Sequence, residues 1–539
     1  MATLNLGNNQ VPVTNWETNE NADFFIDFGK IEKVGTVYFL LKNTSETKID
    51  VYSGEPGNWI LEGTIDIKFS YYSWTDGLDL DINSQYIGFN VDSGFMKIAE
   101  LAILDSFDQK MTINSIGSEN SSNINLDYLI DEQNLVQFPT TYMGETFFDE
   151  IYFVRTAENY LKVQHPYEWT HPPLGKLIMA SGIGIFGFNP FGWRIMGVIF
   201  ATLMIPLIYF IGKILFQTWI GGFTAAFLLT FDFMHFTLSR IATVDTYVIF
   251  FSIASQLFFL IYLKKLLKFG WKNTPTKPLF FAFIFFALGF STKWIAIYGL
   301  AAQIIILFAI RLKEMVKLKK INLSEKINIF LEYPYSKIIE FLLIAVVIYF
   351  LTYIPDIISG RTISEVFGLQ GGMYNYHSTL NATHSFSSAW WSWPLILKPV
   401  WLYVSYLPLS LKSTIVLLGN PAVWWIGFSS IIFTTISFWK KKSFESMFIL
   451  VFFFIHWIPY MLISRITFLY HFYINVPILC LASAYFINKY WNTKWGKIIG
   501  VIYFSIVVIL FGYFYNIISG TPSTVSWIDS LKWLPGWSF

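Results

Sequence analysis

Phe191-Gly192-Trp193-Arg194-Ile195-Met196-Gly197-Val198-Ile199-Phe200-Ala201-Thr202-Leu203-Met204-Ile205-Pro206-Leu207-Ile208-Tyr209-Phe210-Ile211-Gly212 carries one charge, Arg194, near its start. As a helix rising about 1.5 Å per residue, it is long enough to cross a hydrocarbon core of ~30 Å. Runs of the same kind recur near 219–238, 244–263, 278–292, 294–311, 338–355, 421–438, 446–463, 467–487 and 497–516. Ten spans are therefore predicted, with one tight turn around Lys293 between the fourth and fifth. The apolar stretch 394–411 is broken by Pro394, Pro399 and Pro408 and reads as interfacial. Composition agrees: of 539 residues 54% are hydrophobic, 20% aromatic and only 14% charged, against about 25% charged in a soluble domain. A disordered chain is excluded and a soluble enzyme is disfavoured.

The formal net charge of +1 hides an asymmetry. Residues 1–140 hold 21 acidic residues against 7 lysines and no arginine, and the remainder holds 15 against 30. The acidic part has no long apolar run. It shows short alternating stretches, such as Val34-Gly35-Thr36-Val37-Tyr38-Phe39-Leu40 and Tyr86-Ile87-Gly88-Phe89-Asn90-Val91, divided by turn residues such as Ser53-Gly54-Glu55-Pro56-Gly57-Asn58. That pattern predicts an antiparallel β-sandwich over 1–115, then a Ser/Asn-rich linker over 116–140 and a membrane domain over 141–539. Phe25-Ile26-Asp27-Phe28-Gly29-Lys30, Ile49-Asp50-Val51-Tyr52-Ser53-Gly54 and Ile98-Ala99-Glu100-Leu101-Ala102-Ile103 resemble a discoidin-like jelly roll. Trp59 and Trp74 either stack on a sugar, making a carbohydrate a candidate ligand of this domain, or pack internally. The single cysteine, Cys480, sits in an apolar run, so no intrachain disulfide or thiolate metal site is expected.

Loop charges orient the spans. One set of loops holds Lys213; Lys264, Lys265, Lys268, Lys272 and Lys277; Arg311, Lys313, Lys317, Lys319, Lys320 and Lys326; Lys440, Lys441 and Lys442; and Lys489, Lys494 and Lys497. The alternate set holds only Arg240, Lys293, Arg361, Lys398, Lys412 and Arg465. The positive-inside rule places the first set in the cytoplasm. Residues 1–189, the 356–420 loop and the C-terminus then face outward, with outer loops near 141–189 and 356–420. Export of the acidic domain without a signal peptide after Met1 predicts a further span ahead of residue 1 in the natural protein.

Ionisable residues at the outer boundary are costly and therefore candidates for function. They include Asp149 and Glu150, His171 and Lys176, Arg194, Arg240 with Asp245, Lys293, His377 and His384, and Arg465 with His471. Arg and Lys gathered at a membrane surface suit a lipid-linked phosphate. The alternative for each is snorkelling or an internal ion pair, as between Arg240 and Asp245.

Several motifs, in order, point to a family. Phe148-Asp149-Glu150, His171-Pro172-Pro173-Leu174-Gly175-Lys176, Gly192-Trp193-Arg194 and Arg240-Ile241-Ala242-Thr243-Val244-Asp245 resemble those of the dolichyl-phosphate-mannose–protein mannosyltransferases, membrane glycosyltransferases of the GT-C class. Tyr376-His377-Ser378 with Ala382-Thr383-His384, Trp390-Trp391-Ser392-Trp393-Pro394-Leu395, Leu418-Gly419-Asn420-Pro421 and Arg465-Ile466-Thr467-Phe468-Leu469-Tyr470-His471 are similar in kind. The resemblance covers roughly residues 140–539. It implies a GT-C membrane fold of eleven spans, and a prokaryotic type because 356–420 is too short for a β-trefoil insert. It further implies mannosyl transfer, with inversion, from a polyprenyl-phosphate sugar to Ser or Thr of an exported protein at the outer face of the cell membrane.

On that basis Asp149 is expected to be the base and Glu150 to have a supporting or acceptor-binding role. Arg194, Arg240, Asp245, Lys293, Arg465 and His471 are expected at donor phosphate and sugar. His171, Lys176, His384 and Trp391 are expected at the acceptor side or loop. No cofactor, metal or nucleic acid is called for. Two rival readings are a GT-C enzyme acting on a cell-wall polymer or glycolipid, and a sugar-binding receptor or transporter without catalysis. A transporter should show internal repeats with broken helices at mid-membrane, and none is evident.

Overall fold

The computed structural model describes residues 5–92, 94–119, 125–317, 322–331 and 335–539. Lys319 and Lys320 of the basic loops, and residues 120–124 of the predicted linker, lie outside the described residues.

The N-terminal domain is all antiparallel sheet. Its strands are β1 (Trp16–Thr18), β2 (Ala22–Thr44), β3 (Thr47–Glu55), β4 (Asn58–Ile67), β5 (Ser73–Trp74), β6 (Leu78–Val91), β7 (Met96–Asp105) and β8 (Ser115–Gly117). They join in one eight-stranded ladder, in the order β1-β7-β2-β6-β3-β4 with β5 and β8 on β2. All eight strands thus belong to one continuous sheet joined through β2. The first part of β2 pairs β6 and β8, and its last part pairs β7, with register shifts between. Alternate residues Phe24, Ile26 and Phe28, then Val37 and Phe39, turn inward onto one core with Ile49, Val51, Ile87 and Phe89. The stretch after residue 125 does not run free as a linker. Leu129 is buried in that core, and Glu132 accepts the backbone N–H groups of Val13 and Thr14 at 2.6 and 2.8 Å.

The membrane domain runs through α1 (Glu150–Leu161), α2 (Leu174–Phe186), α3 (Pro190–Phe216), α4 (Trp219–Thr230), α5 (Phe233–Ser239), α6 (Asp245–Asn273), α7 (Lys277–Phe290), α8 (Ala296–Lys317), α9 (Leu323–Leu331), α10 (Tyr335–Leu351), α11 (Ile354–Ile358), α12 (Ile363–Thr379), α13 (Pro421–Lys441), α14 (Phe444–Trp457), α15 (Val476–Tyr490), α16 (Lys494–Ser519) and α17 (Val525–Ser530). Among the described residues eight helices are long and apolar enough to cross a membrane. The pair α4–α5, bent by 59°, counts as a ninth if taken as one span. The run predicted over 278–292 is the shorter apolar helix α7. The protein is a multi-pass membrane protein preceded by a β domain.

Local chemistry sets the span ends. Asn189 caps α3, its Oδ1 accepting the Gly192 N–H at 2.7 Å, with Pro190 in the first turn. Asp232 caps α5 at the bend, accepting His235 N–H at 3.1 Å and the Trp424 indole at 2.8 Å. Gly212 and Gly222 let α3 and α4 touch through their backbones, since a Cβ at either would meet a carbonyl oxygen of the other helix below 3 Å.

The 394–411 stretch is corrected from an interfacial segment to half of a hairpin. β9 (Val400–Leu407) pairs β10 (Leu411–Leu417), which also pairs β11 (Ser523–Thr524). Pro408, Leu409 and Ser410 make the turn, the last two with positive φ. The prolines exclude a helix, while Val400 and Leu402 face the core at strand spacing.

The sheet domain is docked on the membrane domain. Leu40, Tyr71, Tyr72 and Ala99 share a buried cluster with Phe153, Val154 and Ala157 of α1, Met179, Ala180 and Ile183 of α2, and Trp193 of α3. Trp74 packs at this junction, donating its backbone N–H to Glu145. Within it, Lys42 Nζ lies 3.1 Å from Glu158 of α1 and 3.2 Å from the Phe188 ring centroid.

Candidate active site

α1 begins where the chain leaves the sheet domain, and its first turn separates two adjacent carboxylates. Successive helix positions point about 100° apart. Glu150 turns inward and is fully buried. It grips Arg194 in a bidentate pair at 2.8 and 2.7 Å and accepts the backbone N–H groups of Phe147 and Ala242. Asp149, at the N-cap, faces a cavity instead, and its carboxylate makes no hydrogen bond among the described residues.

That cavity has a volume of about 430 Å³. Its polar wall brings together Asp149, Glu168, His171, Asp245, Lys293, His377, Arg465 and His471 from six separate parts of the chain. Lys293 Nζ lies 2.8 Å from Asp245 Oδ1, so the turn between α7 and α8 is tied to the start of α6. Arg465 makes no hydrogen bond or ion pair among the described residues, and neither does Nε2 of His171 or His471. A second space of about 370 Å³ shares Lys293, His377, Arg465 and His471. Its remaining wall is mainly apolar, with Trp294, Ile295, Ile297, Tyr298, Tyr460 and Ile463. The arrangement is a polar chamber with one unpaired carboxylate, a cationic neck and an apolar trough.

Electrostatics separate the groups. Burial pushes the Asp149 carboxyl up to about 7, reinforced by Asp245 and opposed by Lys293. Burial also acts upward on Glu168, but Lys176 at 2.6 Å and His171 at 3.1 Å outweigh it and hold that carboxyl below the usual range. Burial lowers His171, and it lowers His377 to about 4 with help from the neighbouring His171. Burial thus favours the neutral form of both imidazoles.

The region 170–331 matches the family model described as dolichyl-phosphate-mannose-protein mannosyltransferase, and 362–537 matches the C-terminal four TMM region of protein-O-mannosyltransferase. The chain belongs to the protein O-mannosyltransferase family. A polyprenol-phosphate-mannose–protein mannosyltransferase of Mycobacterium tuberculosis is 22% identical over 424 residues, 68% of this chain and 80% of that protein. Its Corynebacterium glutamicum counterpart is 26% identical over 436 residues, 68% and 81% respectively. The fold matches the S. cerevisiae protein O-mannosyltransferase Pmt1–Pmt2 complex bound to the sugar donor, with a TM-score of 0.61, 14% identity, and coverage of 73% of this chain and 89% of that one. Asp149 and α1 lie ahead of the first matched stretch.

In this protein O-mannosyltransferase the geometry sorts the expected site residues. Asp149, His171, Asp245, Lys293, Arg465 and His471 meet in the cavity. Glu150 and Arg194 do not. All five N–H groups of Arg194 are used, by Glu150 and by the carbonyls of Leu6, Tyr142 and Glu145. That corrects the reading of Arg194 as a phosphate ligand, because no donor is left, and it corrects the acceptor-binding alternative for Glu150, whose carboxylate is taken up by Arg194 and two backbone N–H groups. Arg240 reaches the carbonyls of Ser519 and Asn5 at 3.2 and 2.5 Å, away from the cavity, while its expected partner Asp245 pairs with Lys293. Lys176 is buried beneath the site, holding the carbonyls of Glu168 and His171 at 2.8 and 2.7 Å. His384 packs edge-on against Phe468, and Trp391 is 56% exposed; neither lines the cavity.

The cavity residues given no role in advance are Glu168, Tyr152, Tyr167, Trp169, Tyr376 and Tyr470; of the two boundary candidates His377 and His384, His377 lines the cavity and His384 does not. A signal for preferring His377 was present: Met373, Tyr376 and His377 share one face of α12 at helical spacing, and Tyr376 and His377 line the cavity.

Proposed function

We propose that this chain transfers a mannosyl residue from a polyprenyl-phosphate donor to a Ser or Thr hydroxyl of an exported protein, with Asp149 as the base. The observation that carries this is the unpaired Asp149 carboxylate in a chamber that opens, past a cationic neck, into an apolar trough. The trough suits an isoprenoid chain and the neck suits its phosphate. Lys293 is already balanced by Asp245, so Arg465 is the cation with donors to spare, with His171 and His471 offering imidazole nitrogens beside it.

In the step itself the acceptor oxygen attacks the anomeric carbon and its proton passes to Asp149. The bond from that carbon to the phosphate oxygen breaks, and the phosphate leaves carrying the charge that Arg465 and Lys293 stabilise. No second unpaired carboxylate lines the cavity among the described residues in a position to act as nucleophile, which supports a single displacement with inversion. The site lies at the N-terminal end of α6, opposite the Lys264, Lys265 and Lys268 end of the same helix. This supports the outward orientation of the chamber and the sheet domain. A carbohydrate ligand of the sheet domain has a candidate place. It is an open pocket of about 440 Å³ lined by Phe25, Tyr52, Trp59, Asn21, Asn90 and Glu119, with Trp59 lying on Gly88.

The protein reconstituted in nanodiscs with radiolabelled polyprenyl-phosphate mannose should label a Ser/Thr peptide. Label passing only to a cell-wall polymer or glycolipid would establish the rival acceptor, and donor binding with no transfer would favour a receptor. Arg465→Ala should raise the donor KM at least tenfold, read from initial rates at saturating peptide; an unchanged donor KM removes Arg465 from the phosphate. The pH profile follows from Asp149. Its raised pKa leaves it half ionised near pH 7, and the base is lost as pH falls. kcat/KM should therefore drop about tenfold per unit below that point. His171 and His377, shifted down, add no inflection above pH 7. A profile flat from pH 5 to 8 would contradict this.

A further inference from the structure

The mouth of the chamber is aromatic, and a ring of the sheet domain stacks on two of its rings. Tyr152, Tyr167, Trp169 and Tyr376 line the cavity while remaining 38 to 39% exposed. Phe69, in the connection between β4 and β5, stacks within 11° of parallel on both Tyr152 and Tyr167, with centroids 6.0 and 5.4 Å apart. The guanidinium of Arg155, on α1, lies 3.8 Å from the Tyr167 centroid and 5.5 Å from that of Phe69. Arg155 is half-buried, yet it makes no hydrogen bond or ion pair among the described residues. Stacking holds its plane over Tyr167, a ring of the cavity wall, and leaves its N–H groups to a ligand lying beside that ring.

A rigid ring platform beside an unpartnered, oriented arginine is suited to a ligand with flat or ring side chains and carbonyl oxygens. A Ser or Thr can place its hydroxyl on Asp149 inside a chamber of about 430 Å³ only if the chain around it runs extended past this mouth. Proline segments meet both conditions. They are extended without internal hydrogen bonds, expose their carbonyls, and dock in aromatic-lined grooves with little ordering cost. We infer that Phe69, Tyr152, Tyr167 and Arg155 form the acceptor-binding platform of this enzyme. A proline beside the target Ser or Thr lies on the rings, and Arg155 holds a backbone carbonyl. The sheet domain thereby contributes directly to acceptor selection. The inference rests on the protein-acceptor reading above.

The test uses the full chain in nanodiscs with two peptides that share one Thr and differ by Pro or Ala beside it, plus a Thr→Ala version of the first carrying a fluorophore. Wild type should show a lower acceptor KM for the Pro peptide. Phe69→Ala and Arg155→Gln should each raise that KM about three- to tenfold and weaken binding of the fluorescent peptide equally, with kcat and donor KM unchanged. Unaltered melting temperatures of the two variants establish that the domains remain docked. The platform is refuted if both variants keep the wild-type acceptor KM and peptide affinity, or if Pro and Ala peptides are used equally. If the fluorescent peptide binds as described but no peptide is mannosylated, the platform stands and the proposed activity fails.

Discussion

Asp149→Asn is expected to lower mannosyl transfer about a thousandfold while donor binding and melting temperature stay near wild type. The side chain makes no hydrogen bond that the amide would break, so its loss removes only the proton acceptor. A general base contributes roughly 10²- to 10⁴-fold, and a hydroxyl nucleophile depends on it. The donor phosphate is assigned to Arg465, Lys293 and their imidazole neighbours, so titration of a donor analogue should give an unchanged affinity. The measurement is single-turnover transfer from labelled donor to peptide. A variant with activity within tenfold of wild type shows that Asp149 is not the base.

The second large effect belongs to a residue that first looked catalytic. Arg194→Ala should cost about 3–5 kcal/mol of stability, because it strands the Glu150 carboxylate in the interior and removes the donors of three backbone carbonyls. Thermal unfolding in detergent and the yield of folded protein are the readouts. Replacing both partners, Glu150→Gln with Arg194→Met, should recover part of the loss, since no charge is then left buried alone. If Arg194→Ala melts like wild type and instead raises the donor KM, Arg194 contacts the phosphate after all.

These two residues also show how far the sequence could be read. Arg194 and Asp149 carry the same kind of signal, an ionisable group in an apolar, aromatic setting at a span boundary. What divides them is side-chain direction. The first turn of α1 puts Glu150 inward and Asp149 toward the cavity, and the pairing of Glu150 with Arg194 consumes the arginine. Hydropathy marks the spans because each must satisfy its backbone internally, and so the places of Lys293 and Arg465 at span ends were legible. The hairpin Val400–Leu417 was hidden because prolines and apolar residues in a membrane protein suggest an interface before they suggest a buried strand. His377 was legible as a candidate together with His384, and only the helix α12 separates them, because it turns His377 to the cavity wall. The docking of the sheet domain, and with it Phe69 on Tyr152 and Tyr167, depends on contacts across about a hundred residues of chain that no local pattern encodes.

The central claim is that one chamber holds the lipid-linked sugar between Arg465 and Asp149. A structure of the protein with a non-transferable polyprenyl-phosphate mannose analogue tests it most directly. The account predicts the phosphate against Arg465 and Lys293, the isoprenoid chain in the trough lined by Trp294 and Tyr298, and the anomeric carbon open to an acceptor oxygen within hydrogen-bond reach of Asp149. A donor phosphate bound elsewhere, or a sugar whose anomeric carbon faces away from Asp149, would contradict it.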